Sequence, residues 1–312
     1  MKKAVIVGCN GQDGRLLYDL LAARGYRIIG IARNRLRATS GGGRRRVDIH
    51  DFQQVRRLLR SFKPREIYYL AAFHHSSEQD TNLDDGALFR KSQEVHVSAL
   101  LNFLESMRGM DSPARLFYAA SSHVFGASRS GRLSEAAPFD PGNIYGITKA
   151  AGVMACRYFR RCYSLYSSVG FLFNHESRWR DPSFLSRKIV QGALAVKAGL
   201  RDELVLGDLD AEVDWGYAPD YVEAMHAILQ LPHPDDFVVA TGRRHSVREF
   251  VQTAFAELGL DWSRFVRSDP GLLTKPRSAF IGDPSKLRRR TGWKARTNFR
   301  EMIRALLEAE EQ

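Results

Sequence analysis

The chain has 312 residues, of which 44% are hydrophobic and 26% charged, so it is long enough to bury a sizeable core. No apolar stretch approaches the roughly 18 residues of a membrane-spanning helix, and the three cysteines have neither a disulfide nor a zinc spacing. The formal charge of +12 comes from Lys and Arg residues scattered along the chain, so we expect a soluble cytoplasmic protein that binds neither nucleic acid, membrane nor metal.

The first segment reads as a strand, a glycine turn, an amphipathic helix and a second strand. Three glycines follow the apolar run of residues 4–7 in a GxxGxxG spacing, and leucines then recur at helical intervals. This order is typical of the first βαβ unit of a dinucleotide-binding fold, where backbone N–H groups approach a pyrophosphate at the positive end of a helix dipole. We therefore predict an α/β protein with a Rossmann-type, doubly wound parallel sheet. The predicted cofactor contacts in this turn are Gly8, Gly11, Gln12, Asp13 and Gly14.

The end of the second predicted strand bears on the identity of the cofactor. The sequence there reads IARNR, with Arg33 and Arg35 where an NAD site presents an acidic residue to the ribose 2′-hydroxyl. The charge favours NADP over NAD, although arginines of an ordinary surface loop would give the same pattern. Further on, VDIHD is typical of a turn beneath an adenine, and EIYYLAA of a buried fourth strand. These segments add further predicted cofactor contacts at Asp48, Ile49, Leu70, Ala71 and Ala72.

The middle of the chain carries the pattern YxxxK. Tyr145 and Lys149 are four residues apart, so a helix would place both side chains on one face. A tyrosine with an ordinary pKa of about 10 is a poor base at neutral pH, and a fixed cation beside it favours the phenolate. Ser121 lies 24 residues before Tyr145, at the end of a predicted strand, where its hydroxyl could share the same substrate oxygen. We therefore predict that Ser121, Tyr145 and Lys149 are catalytic, with Lys149 activating Tyr145.

These features together resemble the extended short-chain dehydrogenase/reductase superfamily over essentially the whole chain. Six segments are most similar to the GDP-mannose 4,6-dehydratase family: GCNGQDG, GFLFNHES, SRKIV, VDWGYAPDYV, DDFVVATGRRHSVREFV and IGDPSKLRRRTGWKA. The resemblance implies an NADP-dependent enzyme acting on a GDP-linked hexose, with Tyr145 as the base at O4 and with Tyr145 and Lys149 touching the cofactor. Such an enzyme oxidises C4, eliminates water across C5 and C6, and returns the hydride to C6.

The same resemblance implies where the nucleotide-sugar binds. Arginine suits such a site because its planar guanidinium can bind phosphate oxygens in pairs. Two positions depart from the family pattern, since Trp179 replaces a residue that is usually basic and Val213 replaces an arginine. Asn174 and Glu176 also have a structural alternative, because both could cap the turn that follows them. The implied substrate contacts are Ser122, Asn174, Glu176, Ser177, Arg180, Arg187, Lys188 and Lys275.

His123 is the departure on which the predicted reaction depends. The family uses the glutamate of a T-S-E motif as the acid/base of the elimination, whereas this chain reads Ser121, Ser122, His123. An imidazole accepts and donates protons near neutral pH, so His123 could replace that glutamate as a catalytic residue. It could equally shape the pocket of a 4-keto reductase or an epimerase, which need no such base, or occupy a structural turn. A cofactor-binding protein without catalysis is the remaining alternative, and the intact Tyr145 and Lys149 argue against it.

The resemblance also implies how the chain is divided and assembled. Residues 1–172 would form the NADP-binding domain, a segment near residues 213–242 would return to it, and residues 173–312 would mainly form a smaller substrate-binding α/β lobe. The basic loop that supports a tetramer in the family is shortened here between Arg35 and Val47. We therefore expect a homodimer formed through two helices, with a tetramer as the alternative.

Overall fold

The structure is a computed structural model that describes residues 1–32, 43–44, 47–73, 83–110, 113–126, 131–269, 271 and 281–311. Three residues with sequence-based predictions, Arg33, Arg35 and Lys275, lie outside these ranges. Among the helices within them, none is long and apolar enough to cross a membrane.

Strands and helices alternate along the first part of the chain. The strands are β1 (Lys3–Val7), β2 (Arg27–Ile31), β3 (Gly43–Arg44), β4 (Glu66–Tyr69), β5 (Arg115–Ser121), β6 (Tyr166–Leu172), β7 (Asn174–Glu176), β8 (Leu204–Leu206), β9 (Glu212–Val213), β10 (Trp215–Tyr217), β11 (Asp236–Val239), β12 (His245–Ser246) and β13 (Val266–Ser268). The α-helices are α1 (Gln12–Ala23), α2 (Phe52–Phe62), α3 (Asp85–Gln93), α4 (Ala99–Arg108), α5 (Ile144–Tyr163), α6 (Leu185–Lys197), α7 (Ala218–Gln230), α8 (Val247–Glu257), α9 (Ser285–Thr291) and α10 (Phe299–Glu310).

Seven strands form one parallel sheet in the order β11-β6-β5-β4-β1-β2-β3. The chain leaves β1 toward β2 on one side and returns through β4 on the other, so Ala4 is paired with Ile28 and also with Glu66. This topology confirms the predicted doubly wound sheet. Ligands of such folds bind where the strand order reverses, which here is between the carboxyl ends of β1 and β4.

Apolar clusters bury both faces of this sheet. One cluster includes side chains of α2, α4 and α5, and the other includes side chains of α1, α7 and α9. The central strands read as continuous apolar runs because both faces are covered, and residues 4–7 of β1 are at most 1% exposed.

The second lobe packs α6, α8 and α10 around a third apolar cluster, which includes Trp215 and Phe250. Three short strand pairs, β7 with β10, β9 with β12 and β8 with β13, complete it. β7 follows β6 after one residue, so the lobe begins at the carboxyl edge of the sheet, while β11 returns to the sheet beside β6. The predicted division after residue 172 stays a proposal, which these packing relationships support.

Two irregular turns lie close to the carboxyl edge. A π-helical turn, Glu94–Ser98, joins α3 to α4 and carries the fully buried His96. A 3₁₀ turn, Ser122–Phe125, follows β5 directly, and the Ser121 hydroxyl accepts a hydrogen bond from the His123 N–H at its start. Such irregular turns are frequent at functional sites because they redirect side chains that a regular helix would place elsewhere.

Candidate functional site

The glycine turn lies at the switch point of the sheet. Gly8 has a φ of +91°, and a Cβ on it would lie 2.8 Å from the Ala71 nitrogen, so a larger residue does not fit between the ends of β1 and β4. α1 begins after Gly11, and within the described part of the chain no side chain caps this helix end. Uncapped N–H groups at a helix N-terminus attract anions, so the turn fits the pyrophosphate of a dinucleotide.

The end of β4 lies beside the glycine turn, and the turn before α2 is held by hydrogen bonds of its own. The Leu70 N–H donates to the Val7 carbonyl at 2.9 Å, which places the Leu70–Ala72 segment directly beside Gly8. The Asp48 carboxylate accepts from the His50 N–H at 3.0 Å, and the Asn102 side-chain amide donates to the Ile49 carbonyl at 2.9 Å. Hydrogen bonds therefore hold both segments in place, and their role in binding a cofactor stays a prediction.

The side chains of Gln12 and Asp13 contact β7 and the residue after it. The Gln12 amide donates to the His175 carbonyl at 3.0 Å, and the Ser177 hydroxyl donates to the Gln12 Oε1 at 2.9 Å. The Asp13 carboxylate lies 3.0 Å from the His175 Nε2. These side chains are engaged with the second lobe, and the predicted contact of Gln12 and Asp13 with a cofactor stays a prediction.

Ser121, Tyr145 and Lys149 meet beyond the carboxyl end of β5. Ser121 ends that strand, and its hydroxyl lowers the pKa of the Tyr145 side chain. Tyr145 and Lys149 lie one turn apart on α5, with the Lys149 ammonium 5.7 Å from the centre of the Tyr145 ring. Lys149 is 1% exposed, and its ammonium donates to the Ala119 carbonyl at 2.7 Å. The structure therefore brings together the three side chains that the sequence pattern singled out.

Burial shapes the acid–base properties of this group. Burial raises the pKa of Tyr145 to about 12, although the Arg180 guanidinium and the Ser121 hydroxyl act to lower it. Burial lowers the pKa of Lys149 to about 7, although the Asp13 carboxylate acts to raise it. The Arg180 guanidinium thus favours the Tyr145 phenolate, and activation of Tyr145 by Lys149 stays a prediction.

His123 packs against Tyr145. Its ring meets the Tyr145 ring edge to face, with centroids 5.8 Å apart and planes at 89°. The Asn143 amide donates to the His123 Nδ1 at 3.1 Å, so the neutral imidazole carries its hydrogen on Nε2. A Cβ on Gly146 would lie 2.5 Å from the His123 carbonyl oxygen, so glycine allows the 3₁₀ turn to approach α5 this closely.

The predicted nucleotide-sugar residues lie in the 3₁₀ turn, in and after β7, and on α6. Ser122 is buried in the 3₁₀ turn, and Asn174 is the first residue of β7. The Glu176 carboxylate accepts from the Ser186 hydroxyl at 2.6 Å and lies 3.4 Å from the Arg180 Nε. The Arg180 guanidinium lies 3.7 Å from the centre of the Phe184 ring. Glu176 and Arg180 thus form an ion pair in the segment that precedes α6.

Arg187 and Lys188 are neighbours on α6 with different surroundings. Arg187 is 6% exposed, forms an ion pair with Glu310 of α10 and donates to the Arg178 carbonyl at 3.0 Å. Lys188 is half-buried. Arg187 is thus tied to the carboxy-terminal helix, and its predicted contact with a substrate phosphate stays a prediction.

Three further residues lie in this region, and two of them, His96 and Asn143, belong to none of the quoted sequence motifs. The His96 Nε2 accepts from the Phe73 N–H at 3.0 Å, and its ring lies edge-on to Tyr145 with centroids 5.2 Å apart. Asn143 caps α5, which its position before YGITK could have indicated. His175 lies within the FNHES segment, whereas nothing local in the sequence marks His96.

Comparisons with known proteins agree with this arrangement. A family profile described as GDP-mannose 4,6 dehydratase matches residues 5–306. GDP-mannose 4,6 dehydratase 2 of Arabidopsis thaliana is 33% identical over 332 residues, covering 98% of this chain and 86% of the relative. The structure of dTDP-glucose 4,6-dehydratase from Bacillus anthracis in complex with NAD has a TM-score of 0.84 at 16% identity, covering 100% of this chain and 97% of that one. The structure of RMD from Pseudomonas aeruginosa with NADPH has a TM-score of 0.81 at 20% identity, covering 100% and 99%.

Proposed function

The chain belongs to the GDP-mannose 4,6-dehydratase family, and from that premise we propose that it is a 4,6-dehydratase acting on a GDP-linked hexose with NADP as its cofactor. The observation that carries the proposal is the meeting of Ser121, Tyr145 and Lys149 at the carboxyl edge of the sheet, beside an uncapped glycine turn. Oxidation of a hydroxyl needs a proton acceptor for its oxygen and a hydride acceptor for its carbon, so the two must lie close together.

The residues of the chain would carry the proton transfers of the redox step. A nicotinamide cofactor whose pyrophosphate binds at the glycine turn would supply the hydride acceptor of the first step and the hydride donor of the last. Tyr145 would take the proton from O4 as hydride leaves C4, and Ser121 would hydrogen-bond the same oxygen. The high pKa of Tyr145 makes its phenolate a strong base once formed, and the Arg180 cation favours that phenolate.

We assign the acid/base of the elimination to His123. It would remove the C5 proton next to the C4 carbonyl and give a proton to the departing C6 hydroxyl, which leaves as water. Hydride then returns to C6 and a proton to C5, so the cofactor ends as it began. The edge-on contact with Tyr145 supports the assignment, because it holds the ring next to the residue that acts at O4. The Asn143 amide occupies the Nδ1 lone pair in this structure, so that hydrogen bond would have to open before the imidazole could take the C5 proton.

NADP is the cofactor we propose because of the Arg33 and Arg35 pattern after β2. Structural neighbours hold either nicotinamide cofactor, NAD in the Bacillus anthracis dehydratase and NADPH in the Pseudomonas aeruginosa protein, so the fold accommodates both. Titration of the purified protein with each cofactor tests the choice. Tighter NADP binding that is lost in Arg33→Ala supports it, whereas equal or tighter NAD binding contradicts it.

Incubation with GDP-mannose and NADP tests the activity. We expect the 4-keto-6-deoxy product by NMR, with deuterium at C5 when the reaction runs in D₂O, and no product from UDP-glucose or dTDP-glucose. His123→Gln should lose the product while NADPH appears from the isolated C4 oxidation, and His123→Glu, which restores the residue of the family motif, should retain turnover. A protein that binds NADP but forms no product from GDP-mannose would contradict the dehydratase assignment.

A 4-keto reductase or epimerase is the second candidate, which the replacement of glutamate by His123 favours. A reductase would consume NADPH in proportion to product, whereas a dehydratase or a 4-epimerase would recycle it. Stoichiometric NADPH oxidation with a GDP-4-keto sugar, and no loss of water from GDP-mannose, would favour the reductase. A C4-inverted product without loss of water would favour the epimerase.

We also propose a homodimer formed through α5. Three apolar side chains of this helix are exposed at spacings that share one face, Ile147 at 40%, Met154 at 57% and Tyr158 at 47%. Phe89 of the neighbouring α3 is 37% exposed. Sedimentation analysis should show a dimer that Met154→Glu dissociates, and a wild-type monomer would contradict the proposal.

A further inference from the structure

His96 is held against the sheet by the backbone of its own π-helical turn. The Tyr69 hydroxyl of β4 donates to the Val95 carbonyl at 2.6 Å. The Tyr118 hydroxyl of β5 donates to the His96 carbonyl at 3.3 Å. The turn is therefore anchored on two central strands, and it places a fully buried imidazole beyond their carboxyl ends.

The two ring nitrogens of His96 have hydrogen-bond partners of opposite kind. Nε2 accepts from the Phe73 N–H at 3.0 Å, so it carries no hydrogen. Nδ1 lies 2.8 Å from the Thr148 hydroxyl oxygen, whose own hydrogen points to the Ile144 carbonyl at 2.9 Å. Nδ1 must therefore carry the hydrogen of a neutral ring and donate it to Thr148. A flipped ring would lose both bonds, so the orientation of the imidazole is fixed.

These two partners belong to the two sides of the proposed site. Phe73 directly follows the segment beside the glycine turn, where cofactor contacts are predicted. Thr148 lies on α5, three residues after Tyr145, and is 1% exposed. The His96 ring itself meets the Tyr145 ring edge to face, with centroids 5.2 Å apart and planes at 86°. One side chain thus connects the cofactor side of the site to the catalytic helix and packs on the tyrosine.

We propose that His96 is a positioning residue of the redox step, which sets the Tyr145 ring relative to the cofactor side of the site. The proposal rests on the proposed function, in which Tyr145 takes the O4 proton as hydride leaves C4. These transfers take place at neighbouring atoms, so a small error in the placement of Tyr145 slows the step. The bonds of His96 to Phe73 and Thr148 fix the separation of the two sides, and the ring contact restricts the tilt of Tyr145.

NMR of the cofactor-free protein labelled with ¹⁵N-histidine tests the hydrogen bonds, with His96→Gln used to assign the signals. We expect the His96 hydrogen on Nδ1 and none on Nε2 at neutral pH. A hydrogen on Nε2 would overturn the proposal, because that nitrogen could then not accept from the Phe73 N–H.

Thr148→Val and Thr148→Ser separate the hydrogen bond from the packing. Valine keeps the volume of threonine but removes the acceptor of the Nδ1 hydrogen, whereas serine keeps the hydroxyl and loses a methyl group. We expect kcat to fall about tenfold in Thr148→Val with KM for GDP-mannose within about twofold, because Tyr145 acts in the chemical step. Thr148→Ser should keep kcat within about twofold, although the lost methyl group lowers its stability. A serine variant as impaired in kcat as the valine variant would show a merely structural role.

His226→Gln is the matched control for His96→Gln. The His226 ring nitrogens also have partners on both sides, Arg24 at 2.7 Å and Tyr26 at 3.2 Å, and the ring meets that of Tyr26 edge to face with centroids 5.9 Å apart. Tyr26 directly precedes β2, so this cluster lies at the amino edge of the sheet, away from the site. His96→Gln should lower kcat and His226→Gln should not, and an equal loss in both would contradict the proposal.

NMR of ¹³C-labelled tyrosine in the cofactor-free protein gives a readout that needs no turnover. The Tyr145 ring signals, assigned with Tyr145→Phe, should shift in Thr148→Val and stay in place in Thr148→Ser. Tyr145 signals that do not respond to Thr148→Val would overturn the proposal. Inactivity toward GDP-mannose, with both NMR results as expected, would count against the proposed function and not against the placement of Tyr145 by His96.

Discussion

The side chain of Asn143 orients His123 by donating to its Nδ1 at 3.1 Å, while its Oδ1 accepts from the Gly146 N–H at 2.8 Å. One amide thus caps α5 and holds the imidazole proposed as the acid/base. The two roles can be separated by substitution, because helix capping needs only a short oxygen-bearing side chain whereas the contact with His123 needs reach.

Asn143→Ser should keep the N-terminal cap of α5 and remove the hydrogen bond to the His123 ring. We expect the free energy of unfolding to change by less than about 0.5 kcal/mol, because serine caps helices about as well as asparagine. Turnover should fall by about tenfold, since an unheld ring spends less time beside Tyr145. Urea denaturation and steady-state kinetics measure the two effects, and Asn143→Ala, which loses both roles, is the control. Unchanged turnover in Asn143→Ser would show that the amide is only a cap.

Tyr145→Phe should abolish turnover while leaving the cofactor site intact. The substitution removes the phenolic oxygen that the mechanism uses at O4, so we expect a loss of about 100-fold or more. Tyr158→Phe on the same helix is the matched control, since Tyr158 is 47% exposed and lies two turns beyond Lys149. NADP titration should give similar affinities for both variants, and substantial turnover by Tyr145→Phe would refute its role as the base.

Most of the fold could be predicted because its signals are local. The apolar run of β1, the glycine turn and the leucine spacing of α1 are contiguous, and each indicates a backbone geometry that the structure has. The strand order follows from right-handed crossovers once the strands are known. The π-helical turn at Glu94–Ser98 could not be predicted, since tertiary packing around the buried His96 selects it and no residue type marks it.

The candidate site could be predicted only where its residues share one element or one motif. YxxxK places Tyr145 and Lys149 on one helical face, and the structure agrees. The contact of Asp13 with His175 joins residues 162 apart, and the pairing of Arg187 with Glu310 ties α6 to the last helix. Such contacts depend on how two lobes pack, which one sequence does not reveal. For the same reason the sequence did not indicate that the Arg180 guanidinium would lower the pKa of Tyr145.

Lys149→Met should stabilise the cofactor-free protein while removing its activity. Burial lowers the pKa of Lys149 from its ordinary 10.5 to about 7, so between these values the unfolded chain holds a proton that the native chain has released. Wild-type stability contributed by this group therefore rises with pH across that window, and the full cost of burying the charge is present below it. The methionine avoids that cost, so its gain in stability should be largest near about pH 6 and should shrink toward about pH 10.

Urea denaturation of the variant and the wild type at these two pH values checks that prediction. Lys197→Met is the control, because Lys197 is exposed and its pair with Glu311 lies on the surface. Its effect should be within about 0.5 kcal/mol at both pH values. A Lys149→Met gain that grows with pH would contradict the direction assigned to the pKa of Lys149.

Gly146→Ala should damage the site because of one backbone contact. Alanine is the better helix former by about 1 kcal/mol, so helix propensity alone would make the change stabilising. The new Cβ would lie 2.5 Å from the His123 carbonyl oxygen, which must then shift together with the 3₁₀ turn. We expect a net loss of about 1–3 kcal/mol in the free energy of unfolding and a fall in turnover as His123 moves away from Tyr145.

Gly142→Ala, four residues earlier and with open space around its Cβ, is the matched control and should leave both the free energy of unfolding and turnover nearly unchanged. Equal behaviour of the two alanine variants would show that the close approach of the turn to α5 is not needed for the site.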